Sequence, residues 1–137
     1  MNPRHCLFVC TTCGSKWQDG QRVGTSAGER LLHQLESLHQ DWDLATEFPI
    51  QAVGCMSACS RSCAISFAAA GKHTYLFGDI SSDDPNVALS NILDCAEKYY
   101  QHPTGVLPWA ERPAPLKQGI LAKIPPLTLP TPSHAAI

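Results

Sequence analysis

Two groups of cysteines dominate this chain of 137 residues: Cys10-Thr11-Thr12-Cys13 and Cys55-Met56-Ser57-Ala58-Cys59-Ser60-Arg61-Ser62-Cys63. The second follows Gly54 directly and repeats its thiols every four residues. At helical pitch, positions i and i+4 share a face with Cβ atoms about 6 Å apart, while i+8 drifts around the axis. The intervening Ser57, Ala58, Ser60 and Ser62 are small or polar and leave room for thiolate ligands. Soft thiolates hold zinc and iron–sulfur clusters. The pattern is therefore read as two ligand groups meeting at one metal centre, with Cys10, Cys13, Cys55, Cys59 and Cys63 as its candidate residues. Thiol–disulfide exchange is the competing chemistry, because Cys-x2-Cys after a strand in an α/β context is a dithiol signal. Against it, no helix follows Cys13 directly to lower a thiolate pKa. The plainest alternative, cysteine as a small core hydrophobe, does not explain three thiols at one spacing plus a pair.

Two clusters some forty residues apart need a fold to bring them together. His5–Cys10 reads as a buried strand centred on Leu7-Phe8-Val9. The segment Lys16–Val23 reads as irregular and exposed. Ser26 with Glu29 satisfies a capping box, and Leu31, Leu32, Leu35 and Leu38 recur at helical spacing, so a helix is expected over Ala27–His39. A strand over Ala45–Val53 follows, interrupted by Pro49. Ala64–Ala70 and His73–Phe77 form a hairpin across a tight Gly71-Lys72 turn. A second amphipathic helix starts near Asp83 or Asp84 with Pro85 in its first turn, and runs through Ile92, Leu93, Ala96 and Tyr100. Strand, helix, strand, hairpin, helix is the β-α-β-β-β-α order of a small α/β sandwich of thioredoxin type. Its first two strands are parallel, joined by a right-handed crossover. Both then end at one edge, the edge where open α/β sheets place their sites. Cys10 and Cys55 stand there.

From Gln101 onward prolines interrupt regular structure, although Leu107, Trp109, Leu116, Ile120, Leu121 and Ile124 keep this tail apolar. The expected organisation is a metal-binding domain over residues 1–101 and a Pro-rich extension over 102–137, partly packed on it. The net charge of −2 and the dilute Lys/Arg content give no basic face for nucleic acid. No apolar run approaches a membrane span, and Leu7-Phe8-Val9 is too short for a signal-peptide core. These readings predict a cytoplasmic protein, where seven cysteines point to metal or redox chemistry rather than to paired disulfides. Cys6 and Cys95 read as core thiols. His33 and His39 read as surface residues, and His5 and His73 are kept as alternative ligands. No catalytic triad, phosphate loop or paired carboxylates stand out, so the chain is not read as a hydrolase, kinase or glycosidase, and a non-enzymatic role is favoured.

The residues Leu7-Phe8-Val9-Cys10, and Val53-Gly54-Cys55-x3-Cys59 before two strands, resemble thioredoxin-like [2Fe-2S] ferredoxins. More closely, Cys10-x2-Cys13, Gly54-Cys55-x3-Cys59-x3-Cys63, Phe77-Gly78-Asp79, Trp109-Ala110-Glu111-Arg112-Pro113 and Ile124-Pro125-Pro126-Leu127 resemble an uncharacterised bacterial family of predicted metal-binding proteins, some encoded near cobalamin biosynthesis genes. The resemblance spans Leu7 to about Leu127. The ferredoxin likeness implies four cysteine ligands, three of them matching Cys10, Cys55 and Cys59. Those ferredoxins carry the remaining ligand further along the first loop, where this chain has no cysteine, so Cys13 would serve. Cys63 stands where they usually have proline.

A [2Fe–2S] cluster takes four thiolates, two per iron. Cys10 and Cys13 on one iron, with Cys55 and Cys59 on the other, divide naturally, and Cys63 is spare or substitutes for Cys59. Zinc accepts four thiolates equally well, but Cys-x3-Cys-x3-Cys is unusual for a structural zinc half-site. The expected function is an iron–sulfur protein in electron transfer or redox sensing. The alternatives are a zinc- or cobalt-carrying chaperone in a cofactor pathway and a dithiol redox protein. The expected partner is a redox protein or a cofactor-pathway enzyme, with a homodimer as the assembly to test. Nucleic acid and membrane are not expected partners.

Overall fold

Strand β1 (His5–Cys10) is the spine of the computed structural model, which describes residues 5–12, 16–56, 63–80, 89–112, 116 and 119–126. After it come β2 (Lys16–Gln18), β3 (Gln21–Val23), α1 (Ala27–His39), β4 (Ile50–Val53), β5 (Ile65–Ala69), β6 (Thr74–Phe77), α2 (Leu89–Gln101) and β7 (Ile120–Ile124). Five strands form one mixed sheet in the order β4-β1-β5-β6-β7, and β2 and β3 form a separate ribbon. The β1–β4 pair is parallel and the other pairs are antiparallel.

Helix α1 starts as its sequence dictates. Ser26 Oγ accepts the Glu29 amide at 3.1 Å and Glu29 Oε1 accepts the Ser26 amide at 3.2 Å, closing the capping box. Leu31 and Leu35 are buried, whereas Leu38 turns to solvent. His39 is less of a surface residue than its polar neighbours suggest, since its Nε2 lies 2.8 Å from Phe48 O and ties the helix end to the next segment. In α2, Ile92, Leu93, Cys95, Ala96 and Tyr99 face the core. The proposed start at Asp83–Pro85 lies outside the described residues. Between the helices and the sheet sits an aromatic core. Phe48, Phe67, Tyr75, Phe77 and Tyr99 are all at or below 2 % exposure, and ring centroids separate Phe67 from Phe48, Phe77 and Tyr99 by 6.1, 5.2 and 5.7 Å. Burying one such ring contributes about 1.5–3 kcal/mol.

Four expectations are corrected. Lys16–Val23 is not irregular: it is a β-hairpin whose turn residues Asp19 and Gly20 have φ of 54° and 78°, the two-residue turn that Asp-Gly favours. The second strand of the sheet is shorter than Ala45–Val53, because Ala45, Glu47 and Phe48 donate back into turns and Pro49 has no N–H for a ladder. Pro49 contributes only its carbonyl, which accepts the Leu7 amide at 2.9 Å. The β5–β6 turn is not a bare Gly71-Lys72 link: Lys72 N bonds Ala69 O at 3.2 Å with Gly71 at φ 77°, and His73 N leaves the ladder for Thr104 O.

The proline-rich extension also contains regular structure. Pro113, Pro115, Pro125 and Pro126 bracket a proline-free stretch, and Ile120–Ile124 within it extends the sheet as β7, with a shift in register between Leu76 and Phe77. The element order therefore contains the expected one plus the β2–β3 ribbon and this last strand. Leu107 and Leu116 are core residues, and the Leu107 amide donates to Tyr75 Oη at 2.8 Å.

A chain ended after Gln101 tests the expected domain boundary. It removes the Leu107 and Leu116 side chains, together worth about 3–6 kcal/mol of burial, and bares the edge of β6. Urea unfolding followed by far-ultraviolet circular dichroism should show loss of the cooperative transition. An unchanged midpoint would show that residues 1–101 stand alone.

Candidate metal centre

The parallel register sets Cys10 opposite Val53, so Cys55 begins two residues beyond the end of β4, at the edge where β1 also ends. Strand β5 runs the other way and starts at this same edge, with Ile65 opposite Val9. Cys63 lies two residues before it, fixed by a reciprocal pair in which its N donates to Ile80 O at 2.8 Å and its O accepts from Ile80 N at 3.1 Å. Ala64 O accepts the Cys10 amide at 3.1 Å. Three of the five candidate cysteines thus occupy one sheet edge. Cys10 and Cys63 are buried at 1 % and 2 % exposure, while Cys55 is exposed. Cys13 and Cys59 lie outside the described residues. Among the described residues, no group of three His, Cys, Asp or Glu side chains is drawn together to hold a metal ion.

The residues that position this edge are ones whose role the cysteine spacing does not reveal. Thr11 donates both its amide, at 2.8 Å, and its hydroxyl, at 3.1 Å, to Val53 O. Thr12 Oγ1 donates to Gly54 O at 2.5 Å and lies 3.7 Å from Cys10 Sγ. On the other side, the Ser26 hydroxyl donates to Thr11 O. Gly28 packs its backbone so closely that an added Cβ would stand 2.1 Å from Cys10 O. The first turn of α1 therefore rests directly on the Cys10–Thr11 peptide. This amends the objection that no helix supports the Cys10 loop. The β2–β3 ribbon intervenes in sequence, yet the fold returns the positive end of α1 to that loop.

The remaining thiols and imidazoles stand apart. His5 begins β1, five residues from Cys10 and about 16 Å away at strand rise, with its ring 4.7 Å from that of Tyr100. His73 precedes β6 at the same far end, its Nδ1 3.2 Å from Thr104 O. Neither is an alternative ligand for Cys10. Cys6 is half-buried, its thiol reaching Gln51 Oε1 at 3.9 Å, and burial raises its pKa. Cys95 is wholly buried in α2. That burial pushes its thiol up to about 12, against smaller lowering effects of Arg112 and Lys98.

A family model described as a protein of unknown function, DUF1636, matches residues 7–126. The chain belongs to the DUF1636 family. The match runs through β7 to Pro126, so the extension is part of what defines a DUF1636 protein. Among curated proteins, none matches the chain. Of solved structures, a thioredoxin-like [2Fe-2S] ferredoxin from Aquifex aeolicus is similar, with a TM-score of 0.52 and 18 % identity over 93 % of this chain and 99 % of that one. At that identity the likeness shows the fold, and the DUF1636 chain is thioredoxin-like. No helix among the described residues is long and apolar enough to cross a membrane.

Two glycines near the edge should respond oppositely to alanine. Gly28→Ala forces a Cβ into the Cys10 carbonyl, whereas Gly54→Ala meets nothing within 4 Å. Chemical denaturation should show a loss of about 2–4 kcal/mol for Gly28→Ala, in the range of severe overpacking, and less than about 1 kcal/mol for Gly54→Ala. Alkylation of folded, reduced and chelator-treated protein at pH 8, read by peptide mass mapping, should label exposed Cys55 promptly and buried Cys95 only after unfolding.

Proposed function

We propose that this chain is an iron–sulfur protein that holds a [2Fe–2S] cluster through Cys10, Cys13, Cys55 and Cys59 and serves in electron transfer or redox sensing. The observation that carries the reading is the parallel β1–β4 pair, which delivers Cys10 and Cys55 to one sheet edge in a fold shared with a [2Fe-2S] ferredoxin. Cys13 follows Thr12 directly and Cys59 comes three residues after Met56 in the sequence, so both ligands of each pair belong to segments that leave this edge. The donor set is chemically suited, since thiolates are the ordinary ligands of such clusters and take two irons in pairs. Cys63, anchored at the same edge, is a fifth thiol, either spare or a substitute for Cys59. The buried Cys10 and the tightly approaching α1 backbone supply the low dielectric and peptide dipoles that set a reduction potential. A redox protein or a cofactor-pathway enzyme is the expected partner class.

A second reading, a zinc- or cobalt-carrying chaperone serving a cofactor pathway, draws on the exposure of Cys55. A ligand open to solvent is where a receiving protein begins to exchange metal. The dithiol reading draws on the α1 terminus beside Thr11 but leaves the Cys55–Cys63 series without a role.

Protein purified without oxygen and assayed for iron, acid-labile sulfide and zinc, with a visible spectrum, separates these readings. The cluster reading expects two irons and two sulfides per chain and bleaching on reduction. Cys10→Ser, Cys55→Ser and Cys59→Ser should each strip or alter the chromophore, and Cys95→Ser should not. Colourless protein carrying exchangeable zinc would favour the chaperone, and an unchanged chromophore in the first three variants would overturn the ligand assignment.

A further inference from the structure

The five-stranded sheet has one face that neither helix covers. Side chains alternate between the two faces, and the strand register sorts them. Leu7, Phe67 and Tyr75 share one face. The Tyr99 ring of α2 packs on Phe67 and Tyr75, and α1 packs against α2, so both helices lie on that side. On the other face a row crosses all five strands as Gln51, Phe8, Ser66, Leu76 and Ala122. Cys6 and Ala68 stand opposite each other in the neighbouring row.

A sheet face left to water ordinarily sets polar residues outward against apolar ones inward. This one carries no charge. The one fixed charge in the strands of the sheet, Lys123, stands opposite Tyr75 on the helix side. Phe8 and Leu76 are half-buried, and Ser66 between them is 6 % exposed. The two large side chains therefore rise on either side of a hollow floored by Ser66 and, next along β5, Ala68. At ordinary strand spacing and rise the face measures roughly 400 Å² in projection, the size at which an apolar patch marks an interaction surface.

We propose that this face is the seam of a two-fold dimer, covered by the same face of a second copy of the chain. Charge selects a copy over a different protein. In a two-fold contact the same patch meets itself, so a charge near the axis would stand against its like. A face without charge meets that demand. A transient partner is instead steered by charged patches, and this face offers none. The relief is also self-complementary. Phe8 of one copy fits the Ser66–Ala68 hollow of the other, and the axis repeats the contact. The product is a sandwich of two five-stranded sheets about 10 Å apart. Along β1 the face runs from Cys6 through Phe8 to Cys10, so the seam ends at the candidate metal edge. The dimer itself does not depend on the metal-centre reading.

Sedimentation velocity of the full, reduced chain from about 1 to about 100 μM tests the seam, since interfaces of modest area dissociate in the micromolar range. The wild-type mass should rise from that of the 14.9 kDa chain toward twice that value. Leu76→Glu and Ala68→Glu should stay monomeric while keeping the wild-type far-ultraviolet circular dichroism. Leu38→Glu, at an exposed apolar position of α1, should dimerise like wild type. Iodoacetamide labelling of Cys6 gives a readout that needs no variant: its rate should fall several-fold as the wild-type concentration rises. A wild type that is monomeric throughout overturns the proposal and leaves the face to a different protein. A dimer retained in both folded glutamate variants, or a Cys6 rate indifferent to concentration, puts the contact on another surface and overturns it as well. Should both glutamate variants unfold, the Cys6 rate decides alone.

Discussion

The pairing of β1 with β4 is the constraint from which the rest follows. Parallel neighbours finish at the same edge, so a single register, Cys10 opposite Val53, decides where two remote stretches of sequence emerge. A one-residue slip in that register would turn every β4 side chain to the other face and carry Cys55 away from Cys10. The fold guards this register on several levels. Leu7 and Val9 are buried on one face of the strand, Pro49 supplies a carbonyl to Leu7, and Thr11 fastens Val53 twice just past the last ladder bond.

Helix α1 completes the arrangement because two small residues let it come close. Ser26 spends its hydroxyl on Thr11 O, and Gly28 presents bare backbone to Cys10 O. Fixed dipoles and a rigid first turn thereby meet the loop that carries the first cysteine pair. At the opposite end of the sheet, Tyr99 Oη donates to His73 O at 2.5 Å and Lys72 Nζ caps α2 through Tyr99 O and Tyr100 O. The buried core runs the length of the sheet, and Cys10 and Cys63 belong to it.

Much of this was readable in the residues. Ser26 and Glu29 announce α1, and its leucines mark its length. The apolar run Leu7-Phe8-Val9 marks β1, and parallel topology then carries Cys10 and Cys55 to one edge. The β2–β3 ribbon also had a local signal, Asp19-Gly20, outweighed by its exposed and polar flanks. Strand β7 was hidden by composition: the abundance of proline in the extension masked a short proline-free stretch whose partner, β6, lies more than forty residues earlier. The supporting residues of the site are the least visible in sequence. Thr12 meets Gly54 across forty-two positions, and Gly28 matters because of what another segment places against it. No periodicity records such contacts, and only the folded chain brings His5 and His73 to the wrong end for a ligand.

Because β1 is an interior strand, hydrogen-bonded to β4 on one flank and to β5 on the other, the residue it delivers to the edge is anchored in the part of a sheet that opens last. The peptide that carries Cys10 is therefore held from both flanks, and it keeps its place through the small openings that fray the outer strand β4.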